Sequence, residues 1–118
     1  MQMSEMFQQY WPFLLLLAWF GYKWWNGRRV HALLPALRKQ GAVVVDVRSR
    51  EEFAAGSAPD TINIPLSELA GRRTEITPNV PVVLCCASGT RSAMAAALLR
   101  RHGFGKVYNA GGWHTLLR

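Results

Sequence analysis

The sequence predicts an α/β fold in which helices flank a central parallel sheet, preceded by an N-terminal transmembrane helix. Three observations support this prediction. Short apolar runs without polar alternation, at 42–47 and 80–85, are typical of strands that are buried on both faces. Segments with helical patterns separate these runs along the chain, which is the order found in parallel sheets. An uncharged run of aromatic and aliphatic residues precedes them all.

The composition limits the number of domains and the class of protein. A chain of 118 residues fits one domain of ordinary size, or a smaller domain with an appendage. Half of the residues are hydrophobic and only 18% are charged, which excludes a disordered or coiled-coil chain. The net charge of +7 comes without a base-stacking motif or a groove-reading helix, so we expect no nucleic-acid partner. We assign the charge to anionic lipid or an anionic substrate and leave the oligomeric state open.

We predict that residues 1–26 form a transmembrane anchor and that residues 27–118 form the globular domain. Residues 6–25 reach the roughly 20-residue length of a spanning helix and would contact the lipid bilayer. Aromatic side chains stand at both ends of this segment, as in membrane-interface belts. Basic residues follow the segment and only Glu5 precedes it, so the positive-inside rule places the domain in the cytoplasm.

Two other interpretations of the leader are weaker. A cleaved signal peptide would need a basic start and a small-residue cleavage site, and the segment after Tyr22 offers no such site. A soluble helix packed on the domain would need a groove for nine of the thirteen aromatic residues of the chain. These nine are Phe7, Tyr10, Trp11, Phe13, Trp19, Phe20, Tyr22, Trp24 and Trp25.

The first half of the domain reads as linker, helix, strand, helix, strand and helical turn. Polar residues 26–29 predict a linker, and a helical apolar stripe follows over 30–40, with Gly41 as its end. After the strand at 42–47, Ser49 and Glu52 form a capping-box pattern that begins a short helix ending at Gly56. A second short strand over 61–64 and one helical turn over 67–69 complete this half.

The second half contains the strongest helix of the chain. The strand at 80–85 leads into a tight loop at 86–91. Residues 92–101 are rich in Ala and Leu with no helix breaker, and Gly103 ends the helix. A last strand over 106–109 and a final helical turn or two over 113–117 follow.

Cys86 stands where a buried strand ends and a loop leads to a helix. In open α/β sheets ligands bind beyond the carboxyl ends of the strands, where loop N–H groups and helix N-termini stabilise anions. A thiolate is an anion, so we expect a lowered pKa for Cys86. Gly89 allows the loop to turn, and Arg91 supplies a positive charge for an oxyanion. Cys85 points to the other face and is expected to be an inert core residue.

At these residues the chain resembles the rhodanese family of sulfurtransferases. The matching segments are Val45–Arg48, Glu52-Phe53 with Gly56, Ile62–Pro65, Cys86–Ser92 and Tyr108–Trp113. The resemblance implies an α/β domain whose catalytic cysteine, Cys86, takes up sulfane sulfur as a persulfide and passes it to an acceptor. It also implies that the active-site loop binds the substrate through Ala87, Ser88, Gly89, Thr90, Arg91 and Ser92. Neither a metal nor a cofactor is expected.

Three functions are compatible with such a cysteine. The first is an enzyme that moves sulfur from thiosulfate, or a similar small anionic donor, to a thiol or cyanide acceptor. The second is a non-enzymatic persulfide carrier or sulfur-sensing module that serves a partner protein at the membrane. The third is a cysteine phosphatase, whose loop needs five residues between Cys and Arg, whereas four separate Cys86 from Arg91 here.

Overall fold

The computed structural model describes residues 2–117 as a four-stranded parallel sheet covered by helices. The strands are β1 (Val43–Asp46), β2 (Ile62–Asn63), β3 (Val82–Cys86) and β4 (Val107–Gly112), in the spatial order β2-β1-β3-β4. Every neighbouring pair of strands is parallel. The predicted α/β fold with a central parallel sheet is therefore confirmed.

The two central strands are buried on both faces, which explains their continuous apolar sequence. Residues of β3 alternate between two hydrophobic clusters on opposite sides of the sheet. Val82, Leu84 and Cys86 face one cluster. Val83 and Cys85 face the other, so the two neighbouring thiols point away from each other.

Within residues 2–117, four α-helices surround the sheet. They are α1 (Met3–Lys39), α2 (Arg50–Ala55), α3 (Leu66–Arg72) and α4 (Thr90–Arg101), and 3-10 turns cover Arg73–Glu75 and Trp113–Leu117. The predicted capping box is confirmed at the start of α2, where Ser49 and Glu52 exchange two hydrogen bonds of 3.2 and 3.1 Å. Residues of α3 and α4 pack on the Cys86 face of the sheet, and the C-terminal part of α1 packs on the Cys85 face.

The prediction of a transmembrane anchor is wrong. Helix α1 has 37 residues, yet among residues 2–117 no helix combines the length and the apolar character that crossing a membrane requires. The uncharged stretch from Tyr10 to Tyr22 is too short, and extending it to residues 6–25 brings in two glutamines and Lys23. The single-pass arrangement, the lipid contact of residues 6–25 and the placement of the domain in the cytoplasm by the positive-inside rule lose their basis with it.

The predicted linker at 26–29 is also wrong, because α1 continues through it without a break. Val30, Leu34 and Leu37 form a buried stripe that packs against the sheet, and this contact keeps the segment helical despite Gly27 and Pro35. The helix ends as predicted just before Gly41, which has a φ of +82°. In contrast, the side chains of residues 2–22 are exposed.

Candidate active site

The sulfur of Cys86 lies under the loop that joins β3 to α4. The backbone N–H of Gly89 donates a hydrogen bond of 2.9 Å to Sγ, and the Ser92 hydroxyl lies 3.4 Å from the same atom. Cys86 is only 1% exposed, whereas Ala87 and Ser88 of the loop above it are exposed. The loop thus wraps a buried sulfur at the positive end of a 12-residue helix.

The two cysteines have opposite acid–base properties. Burial alone raises the pKa of the Cys86 thiol, but hydrogen bonds from the Ser92 hydroxyl and from the backbone N–H groups of Ser92, Gly89 and Ser88 outweigh it, so the pKa is lowered. Burial raises the pKa of Cys85 to about 12, and the nearby charge of Asp46 adds to this effect. Both thiols are free. The pKa shift of Cys86 has the expected direction, and Cys85 lies in the core as expected.

Gly89 has a backbone that other residues adopt only with strain. Its φ is +101°, and a Cβ atom at this position would lie 3.2 Å from Cα of Gly111. The close approach of these two glycines brings the loop against β4. Glycine at position 89 therefore allows the loop to turn, and it allows the N–H group of Gly89 to point toward Cys86.

Asn109 supports the loop from β4, a role that the sequence analysis missed. Its Nδ2 donates to the carbonyl oxygen of Gly89 at 3.2 Å, and its Oδ1 accepts from Gly111 N–H at 2.9 Å. The same Oδ1 lies 2.6 Å from the Ser92 hydroxyl, whose single proton can bond either to this oxygen or to the Cys86 sulfur. The Ser92 hydroxyl thus stands between Cys86 and Asn109. The only sequence signal was the position of Asn109 in a matching family segment.

The guanidinium group of Arg91 is bound to a carboxylate. It donates to both oxygens of Glu52, at 2.7 and 3.0 Å. About a third of each side chain is exposed. Arg91 lies at the end of the predicted loop, but its charge is shared with a partner on α2.

A buried ion pair lies next to the end of β1. Arg48 pairs with Asp46, two positions earlier in the sequence, at 2.8 Å and with almost no exposure on either side. The guanidinium also donates to the carbonyl oxygen of Gly56 at 2.7 Å and stacks 4.7 Å from the ring centre of Trp113. This cluster holds the segment between β1 and α2 in place.

The described part of the chain, residues 2–117, contains no cluster of three or more His, Cys, Asp or Glu side chains that could hold a metal ion.

A sequence model of the family described as the rhodanese-like domain matches residues 30–116. The chain belongs to the rhodanese-like domain family. The match contains the whole sheet, α4 and the loop around Cys86.

Known proteins of the family resemble both the sequence and the fold. The thiosulfate sulfurtransferase GlpE of Pseudomonas syringae pv. syringae is 39% identical over 83 residues, which are 70% of this chain and 78% of that protein. The uncharacterized protein YqhL of Bacillus subtilis is 42% identical over 71 residues, 60% of this chain and 56% of its own length. The crystal structure of a rhodanese-related protein from Thermoplasma volcanium superposes with a TM-score of 0.62 at 30% identity, covering 78% of this chain and 87% of that one.

Proposed function

We propose that this protein is a rhodanese-type sulfurtransferase that uses Cys86 as its sulfur carrier. The observation that carries the proposal is the Cys86 sulfur itself, whose pKa is lowered by hydrogen bonds from the loop at the start of α4. Membership of the rhodanese-like family and the similarity to a thiosulfate sulfurtransferase support it.

The reaction has two steps. In the first, the Cys86 thiolate attacks the outer sulfur of thiosulfate, the sulfur–sulfur bond breaks, and sulfite leaves with the bonding electron pair. Cys86 then carries a persulfide. In the second step a thiolate or cyanide attacks the outer sulfur of this persulfide. The Cys86 thiolate is released again, and the products are a new persulfide or thiocyanate.

The loop supplies electrostatic stabilisation rather than a proton. We propose that the N–H groups of residues 87–92 face the negative charge of the donor and of the persulfide, as an oxyanion hole does. Hydrogen-bond donors that are already oriented in a buried site stabilise developing charge without any reorganisation of the site. For Arg91 we propose that its pair with Glu52 holds the end of the loop in this form while its positive charge favours anionic donors.

We place the sulfurtransferase domain at residues 27–118. The family match begins at residue 30, and the strands, α4 and the Cys86 loop all follow it. Helix α1 crosses this boundary without a break.

The test is to incubate the full-length chain with thiosulfate and then with cyanide. We expect release of sulfite, a mass increase of one sulfur atom at Cys86, and formation of thiocyanate. Cys86→Ser should abolish all three signals, and Cys85→Ala is the matched control that should retain them. Unchanged turnover in Cys86→Ser, or sulfur found on Cys85, would contradict the proposal. Persulfide that passes only to a protein acceptor would instead favour a carrier over an enzyme.

A further inference from the structure

Helix α1 reaches the active-site loop through Lys23. The ammonium group of Lys23 donates a hydrogen bond of 3.0 Å to the carbonyl oxygen of Ser88, and it lies 4.5 Å above the ring of Trp19. Asn26, one turn further along, donates to the carbonyl oxygen of Asn109 at 3.0 Å. These contacts fix α1 against the loop at the point where its side chains begin to be buried.

The contact of Lys23 falls on the same peptide group that contacts Cys86. The carbonyl oxygen of Ser88 and the N–H of Gly89 belong to one peptide unit, and this N–H donates to the Cys86 sulfur at 2.9 Å. In a trans peptide these two groups point in opposite directions. A cation on the oxygen side therefore fixes the peptide plane with the N–H toward the sulfur, and it polarises the N–H so that it donates more strongly.

We propose that Lys23 is a positioning residue of the active site, whose ammonium group holds the Ser88–Gly89 peptide with its N–H facing the sulfur of Cys86. Lys23 is well placed to act in this way, because Trp19 and Gly89 confine its side chain. The methylene group next to the ammonium lies 3.8 Å from the position that a Cβ atom on Gly89 would take. The consequence for turnover rests on the proposed sulfurtransferase function, but the effect on the thiol does not.

Two of the other charges near the site are compensated, whereas Arg28 of α1, which lines the same cavity as Lys23 and Ser88, lies against the ring of Trp24. Arg91, from the start of α4, is paired with Glu52 of α2, and Arg48 is paired with Asp46 beside Cys85. No carboxylate of residues 2–117 forms an ion pair with Lys23. The hydrogen bond of Lys23 therefore directs a positive charge onto a single peptide of the loop.

The experiment measures the rate of Cys86 alkylation by iodoacetamide against pH in the full-length chain, with the site confirmed by mass spectrometry. Lys23→Met should move the midpoint of this profile to higher pH. On its acidic side, the rate at a given pH should fall about three- to tenfold, the change expected for a weakened hydrogen bond to the thiolate. Lys23→Arg retains a charged donor and should restore most of the rate. Lys39→Met is the matched control, because it removes the same charge from the exposed end of the same helix.

The outcomes separate this proposal from the proposed function. Altered access of the reagent would change the rate at every pH without moving the midpoint, and an unmoved midpoint in a folded Lys23→Met protein would overturn the role of Lys23. An equal movement in Lys39→Met would also overturn it, because long-range charge would then explain the effect. If the wild type takes no sulfur from thiosulfate while Lys23→Met still moves the midpoint, the sulfurtransferase proposal fails and the positioning role remains. Should Lys23→Met unfold, Lys23→Gln provides the same comparison.

Discussion

Arg91 and Glu52 are 39 positions apart in sequence and are joined by two hydrogen bonds, of 2.7 and 3.0 Å. The pair connects the start of α4, directly after the Cys86 loop, with the first turn of α2. Glu52 also closes the capping box with Ser49. One carboxylate thus stabilises the beginning of a helix and holds the end of the active-site loop.

The first prediction concerns acid stability through this pair. The hydrogen bond from Arg91, together with the N–H of Ser49, lowers the pKa of Glu52 to about 2. A carboxyl whose pKa is lowered by folding stabilises the protein above the ordinary carboxyl range, and this contribution is lost as pH falls toward about 2. Glu52→Gln should therefore be less stable than wild type at pH 6, and the two should converge only as the pH falls to about 2.

Urea denaturation over this pH range measures the two free energies of unfolding. Because the pair is partly exposed, added salt should reduce the difference at pH 6. A difference that stays constant from pH 6 to pH 2 would show that the ionised carboxylate of Glu52 contributes nothing to stability.

The second prediction concerns the buried pair of Asp46 and Arg48. The carboxylate of Asp46 accepts from the backbone N–H of Arg48 and from its side chain, at 2.8–3.0 Å. Asp46→Asn leaves the guanidinium buried without a negative partner, which typically costs about 3–5 kcal/mol. Denaturant unfolding should show this loss, and Glu75→Gln, in a surface pair with Arg72, should cost much less. Equal losses in the two variants would contradict a structural role for the buried pair.

The strands and the short helix α2 could be predicted from the sequence because the patterns that mark them lie within a few consecutive residues. Apolar runs without alternation marked β1 and β3, and the capping box marked α2. The same reasoning placed Cys86 at the carboxyl end of a strand, because a strand, a tight loop and a helix follow one another directly.

The errors of the sequence analysis arise from contacts between distant segments. Local propensity at Asn26 and Gly27 favoured a linker, but the packing of Val30 and Leu34 on the sheet keeps this segment helical. Asn109 acts on a loop 20 positions away, and only the fold brings the two together.

The third prediction concerns the Ser92 hydroxyl. This hydroxyl contributes to lowering the pKa of Cys86, so Ser92→Ala should raise that pKa and move the pH midpoint of Cys86 alkylation upward. Reactivity at neutral pH should fall accordingly. Ser67→Ala, on the exposed side of α3, is the matched control and should leave the profile unchanged. A profile identical to wild type in Ser92→Ala would mean that the backbone N–H groups alone stabilise the thiolate.

The fourth prediction separates the two effects of Gly89, its backbone strain and its direction toward the sulfur. Gly89→Ala forces an alanine to a φ of +101° and places its Cβ 3.2 Å from Cα of Gly111, so the loop must move. Strain in this region of φ typically costs about 1–3 kcal/mol. Because the N–H of Gly89 moves with the loop, the pKa of Cys86 should also rise.

The matched control for this substitution is Gly103→Ala at the end of α4. Gly103 has a φ of +92°, but among residues 2–117 no atom other than those of its chain neighbours lies within 4 Å of its Cβ position. Both variants should lose stability in thermal unfolding, whereas only Gly89→Ala should move the alkylation midpoint of Cys86 and slow sulfur uptake from thiosulfate. If the two variants had the same alkylation profile, Gly89→Ala would affect only the stability of the protein. The N–H of Gly89 would then have no particular part in holding the thiolate.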